Sequence, residues 1–76
     1  MKYLKEQAYR HVLWTVGNPN GYEPGGFTRT LLEAWAHADY FNHVKLCVAF
    51  PELGEAIATL KYTGPESLVD ALKDQS

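Results

Sequence analysis

Apolar positions recur at helical spacing along most of the chain, beginning with Leu4, Ala8 and Val12, beside which stand Tyr9, Leu13 and Val16. Steps of three and four residues place side chains on one helix face, so residues 2 to 16 read as a first helix that stops at Gly17. The run Val12-Leu13-Trp14-Thr15-Val16 is also β-branched and aromatic enough to form a short strand, and that alternative stays open. Residues 17 to 26 hold four glycines, two prolines and two asparagines, the composition of a loop, and a long one for a helical domain. A second pattern starts near Thr28, whose hydroxyl suits a helix N-cap, with Phe27 placed to pack back on Leu32 as a staple. Leu31, Trp35, Ala38, Asn42, Lys45 and Ala49 then follow one seam, widened by Leu32, Leu46 and Phe50. This spacing predicts one long helix over 28 to 49, a break near Asp39 being the alternative.

Pro51 ends that element and suits the first turn of the next, in which Leu53, Ile57 and Leu60 line a face through Tyr62. Thr63-Gly64-Pro65-Glu66 has the form of a capping box opening a short last helix with Leu68, Val69 and Leu72 on its apolar edge; residues 74 to 76 read as a fraying tail. The expected fold is all-α: one domain over residues 1 to 76, a bundle of about four helices with a long Gly/Pro loop after the first. A chain of 76 residues has room for one core only.

Polar residues within this pattern are the first candidates for function. Asn42 falls inside the apolar seam, where an unpaired amide costs about 1–3 kcal/mol if buried. It could set the register of a self-association seam, but the favoured reading pairs Asp39 and Asn42, one turn apart, with backbone groups of Gly25 and Gly26. Aromatic content of 13% is heavy for so small an interior, so some rings are expected at the surface, where they favour interfaces. Tyr22, Phe27, Trp35, Asp39 and Asn42 are therefore the candidate binding residues, with Trp14 as an outlying member.

Catalysis and metal binding find little footing. His43 and Cys47 share a helical face, but His11 and His37 stand apart and no CxxC completes a zinc set, so neither metal nor cofactor is expected. Cys47 lies between Leu46 and Val48, a setting for an inert thiol, and no acid-base pair accompanies Ser67 or Ser76. The segment Gly21-Tyr22-Glu23-Pro24-Gly25-Gly26 outlines a phosphate cradle but lacks the GK[ST] of a P-loop. The chain reads as a non-enzyme.

Net charge is −2, and it is unevenly spread. Residues 1 to 30 carry Lys2, Lys5, Arg10 and Arg29 against Glu6 and Glu23, whereas residues 31 to 76 set Lys45, Lys61 and Lys73 against seven acids. An acidic balance disfavours a general phosphate-binding surface, so nucleic-acid binding through the basic first helix ranks second to protein binding. One cysteine implies no disulfide framework, and the chain shows neither a signal-peptide pattern nor a membrane-length apolar run, which makes the cytoplasm the expected compartment.

Pro24-Gly25-Gly26-Phe27, then Leu31-Leu32-Glu33-Ala34, then Ala38-Asp39-Tyr40-Phe41-Asn42 resemble small proteins of phages and prophages that carry P-G-[SG]-F, an apolar helix and A-D-x-x-N. The likeness covers roughly the middle third of the chain, and Gly26 stands where serine is common. It implies a virus-encoded accessory role in the cytoplasm of a bacterial host and brings no assigned chemistry. The function expected from these readings is non-enzymatic binding of a host or phage protein, with homo-oligomerisation compatible.

Overall fold

The computed structural model describes residues 5–74, which form five helices: α1 (Lys5–Thr15), α2 (Gly26–Ala36), α3 (Tyr40–Ala49), α4 (Pro51–Thr63) and α5 (Pro65–Asp74). The all-α expectation holds, and among the described residues no strand occurs, so Val12 to Thr15 are helical. Lys2, Leu4 and the end of the tail lie outside the described residues.

Helix α4 is the central post. Its Leu53 and Ala56 are buried, and α1, α3 and α5 all pack along it. Helix α1 adds Ala8, Tyr9, Val12 and Leu13, and α5 adds Leu68 and Leu72. Helix α2 contributes only Leu32 and Trp35 to this core. Gly54 makes the α3–α4 crossing close: a Cβ there would lie 3.0 Å from Cys47 Sγ and 3.2 Å from Cys47 Cα.

Helix α1 ends as its glycine requires. Gly17 takes φ 72°, its amide bonds the Trp14 carbonyl at 3.0 Å, and Asn18 N–H reaches the Leu13 carbonyl at 3.2 Å. That is the Schellman pattern, in which a left-handed residue lets two carbonyls of the last turn find donors. The following loop is strapped to α1: Tyr22 N–H donates to the Arg10 carbonyl at 3.1 Å and Arg10 Nη1 to the Asn20 carbonyl at 2.9 Å.

The predicted continuous helix over 28 to 49 is two helices. Asp39 adopts extended backbone, φ −73° and ψ 178°, and its Oδ1 accepts the Asn42 amide at 2.8 Å, so it caps α3 and ends the rod. An acid at this position satisfies an otherwise orphaned amide and complements the positive end of the helix dipole, which outweighs continuation of the seam. Replacing Asp39 with Ala is expected to lower stability by about 1 kcal/mol, a fall of about 4–8 °C in Tm, measurable by thermal denaturation.

Two smaller expectations are corrected at the same time. Helix α2 begins at Gly26 behind Gly25, not at Thr28, so Phe27 lies inside the first turn and is 71% exposed instead of stapled to Leu32. At the α4–α5 junction Thr63 Oγ1 donates back to the Thr59 carbonyl at 2.8 Å, which removes it from the capping role, and Gly64 at φ 89° makes the turn.

Candidate functional site

The six candidate binding residues do not converge on one site. Trp35 is buried at 6% exposure, and its Nε1–H donates to His43 Nδ1 at 2.9 Å. Because an indole only donates, His43 Nδ1 is an acceptor, and the proton of the neutral ring sits on Nε2, which faces Cys47 Sγ at 3.5 Å. The His43–Cys47 proximity read from spacing is therefore real, but among the described residues no group of three or more His, Cys, Asp or Glu is placed to hold a metal ion.

Trp14 is half-buried and lines a shallow cleft of about 270 Å³ with Arg29, Leu32 and Glu33. It adjoins an apolar one of about 190 Å³ lined by Val12, Leu32, Trp35, Ile57 and Leu60. Phe27 lies against Phe50, ring centroids 6.2 Å apart. Tyr22 is 59% exposed beneath the Arg10 guanidinium, 4.5 Å from its ring centroid.

Asp39 and Asn42 are both exposed. Asp39 is occupied in capping, and Asn42 borders an open cleft with His37 and Lys45. The proposed pairing of these two with Gly25 and Gly26 is not formed. The Gly25 carbonyl instead accepts the Arg29 amide of α2, while Asn20 and Tyr22 bond to Arg10 of α1. Both short motifs in the middle third are thus helix entrances: Gly25 precedes α2, and Asp39 with Asn42 opens α3.

Comparison with protein-family profiles, curated proteins and solved structures finds no match.

The feature that periodicity concealed is α3 itself. Its inward stripe, His43, Leu46, Cys47 and Phe50, runs at i, i+3, i+4 and i+7 and packs on the core. Offset by two residues, Phe41, Val44, Lys45 and Val48 repeat the same spacing on the opposite side. Tyr40 and Phe41 are each 74% exposed, in edge-to-face contact at 5.8 Å, and Val48 is 78% exposed. No residue of α3 is fully buried. The two rings alone leave about 300 Å² of apolar surface uncovered, which with the valines reaches the size of the largest patches on small monomers, patches that are often functional. In the sequence this face is marked by a second set of i, i+3, i+4, i+7 positions beside the Leu31–Ala49 seam.

Of the basic residues Lys2, Lys5, Arg10 and Arg29 read as phosphate contacts, the three among the described residues are engaged within the chain. Lys5 Nζ pairs with Glu55 at 3.1 Å, Arg10 with Glu6 at 3.3 Å and Arg29 with Glu23 at 2.9 Å. The hydrogen bond to Glu55 pushes the Lys5 ammonium above the usual lysine range, while burial raises the Tyr9 phenol, whose O–H also donates to Glu55 at 3.1 Å. Partial burial lowers the His11 imidazole below the ordinary histidine value. Through Glu55, Lys5 and Tyr9 tie α1 to α4, whereas Arg10–Glu6 lies within α1 and Arg29–Glu23 joins α2 to the loop before it. No helix among the described residues is long and apolar enough to cross a membrane.

Proposed function

We propose that this is a non-enzymatic protein-binding module whose contact surface is the outward face of α3. The observation that carries the reading is a ten-residue helix with two apolar stripes, one of which the chain itself covers and one of which it leaves in water. A helix that is apolar on both sides is ordinarily enclosed on both sides. In the ordinary anatomy of interfaces, Tyr40 and Phe41 would be the anchors and Val44 and Val48 the surrounding contacts. The resemblance of residues 24 to 42 to small phage proteins supports a viral accessory factor acting on a host or phage protein in the bacterial cytoplasm.

Binding of nucleic acid by Lys5, Arg10 and Arg29 draws no support from their geometry, since each already has a carboxylate beside it.

The test compares the wild-type protein with Phe41→Ser and Val48→Ser as immobilised bait in bacterial lysate. Both side chains are exposed, so each variant should unfold within about 0.5 kcal/mol of wild type. The expected result is a defined protein retained by wild type and lost from both variants. Equal retention by all three, or retention by none, would count against α3 as the contact face.

A further inference from the structure

Resting on the reading of α3 as the contact face, we infer that its partner is a protein presenting an apolar stripe with a carboxylate opposite Lys45. The chain is acidic overall, yet between Asp39 and Glu52 it holds no acidic residue, and the charge on the outward stripe is the Lys45 ammonium. Lys45 sits in the middle of that stripe, one turn from Phe41 on one side and from Val48 on the other. A long aliphatic stem can lie along the apolar surface while its ammonium reaches the rim. A complementary acid there would gain a charge-assisted hydrogen bond at the edge of a desolvated patch.

The geometry alone would also admit a second copy. Under a two-fold with antiparallel helices, Phe41 faces Val48 of the other copy and Val44 faces its Lys45, so the stripe maps onto itself. Charge decides against this occupant: any two-fold pairing centred on the stripe brings the two Lys45 ammonium groups together, and residues 40 to 51 supply no carboxylate to separate them. Like charges juxtaposed in an interface suppress association. An anionic lipid surface fits less well for a related reason, because one lysine on a net-acidic protein gives little electrostatic attraction.

Two synthetic amphipathic helical peptides provide the test. They share a leucine stripe at i, i+3, i+4 and i+7; one carries glutamates along both flanks and the other lysines. Each is titrated into the full-length protein and followed by fluorescence anisotropy, with Lys45→Glu, Phe41→Ser and Val48→Ser variants alongside, the fold of each checked by circular dichroism. Wild type should bind the glutamate-flanked peptide about tenfold more tightly than the lysine-flanked one, a preference that shrinks as salt is raised. Lys45→Glu should reverse the preference, and Phe41→Ser and Val48→Ser should weaken both peptides.

Equal affinity for the two peptides, or an unchanged preference in Lys45→Glu, overturns the charge assignment while leaving α3 as the contact face. Failure of both peptides to bind, or binding indifferent to Phe41→Ser and Val48→Ser, overturns that underlying reading as well. A dimer in sedimentation equilibrium that Val48→Ser dissolves, or flotation with anionic phospholipid vesicles that Phe41→Ser abolishes, would assign the face to one of the other occupants and overturn the inference.

Discussion

Gly21→Val should destabilise the protein by about 3 kcal/mol or more, lowering Tm by roughly ten degrees or more, although Gly21 lies in a surface loop and takes no left-handed conformation. The cause is a backbone-to-backbone approach. A Cβ at this position would overlap the backbone nitrogen of Trp14 and come within 2.5 Å of its Cα and 2.7 Å of the Leu13 carbonyl carbon. Side chains can rotate away from an intruder, but the main chain of a packed helix cannot, and Leu13 is fully buried. Relief requires the loop to lift from α1. That motion strains or breaks the Tyr22-to-Arg10 backbone bond, the Arg10-to-Asn20 bond and the stacking of Arg10 on Tyr22. Gly26→Ala supplies the internal contrast: it stands at the first position of α2 with nothing within 4 Å of an added Cβ, and alanine is the better helix former. Its Tm should stay level or rise. Thermal melts of the two variants beside wild type check both outcomes, and a Gly21→Val melt indistinguishable from wild type would show the strap to be dispensable.

Most of the architecture was legible because it depends on local rules. Gly17 and Pro51 mark element ends through backbone chemistry that tertiary contacts seldom override, and both boundaries fall where these residues place them. The helix starts were less readable. Thr28, Thr63 and Asp39 all have capping side chains, but only Asp39 caps, and the choice rests on where the chain turns, which no single residue type specifies. Asn42 misled for a connected reason. Placing 28 to 49 on one axis put it inside the apolar seam; ending α2 at Ala36 and starting a new helix at Tyr40 rotates it to the surface. The same break changes which face of residues 40 to 50 meets the core: Leu46, Cys47 and Phe50 turn inward in place of the Asn42–Lys45–Ala49 seam, and Phe41, Val44 and Val48 are left outward. Lys5, Arg10 and Arg29 were countable as charges in the sequence. Their engagement by Glu55, Glu6 and Glu23 depends in part on packing, since only the Glu6–Arg10 pair is one helical turn apart.

Trp35, selected from sequence as a binding residue, is expected to prove the anchor of α2. Leu32 and Trp35 are its buried side chains, and the helix makes few other contacts with the bundle, so the indole carries a large share of the attachment. Trp35→Ala removes a ring that is 6% exposed and also leaves His43 Nδ1 without its donor; a loss of about 3–5 kcal/mol follows from the cavity alone. In a domain of this size that is a large part of the total stability. Trp35→Phe keeps most of the apolar volume and removes the N–H, so it should cost about 1–2 kcal/mol from the unpaired, partly buried nitrogen together with imperfect filling. Hydrogen exchange followed residue by residue distinguishes anchoring from general weakening. If Trp35 holds α2, amides of residues 30 to 36 should lose protection in Trp35→Ala well before those of α4, where Leu53 and Ala56 remain enclosed. Uniform loss of protection across all five helices would show that the bundle unfolds as one unit, and stability unchanged by Trp35→Ala would return the residue to the list of candidate contact side chains.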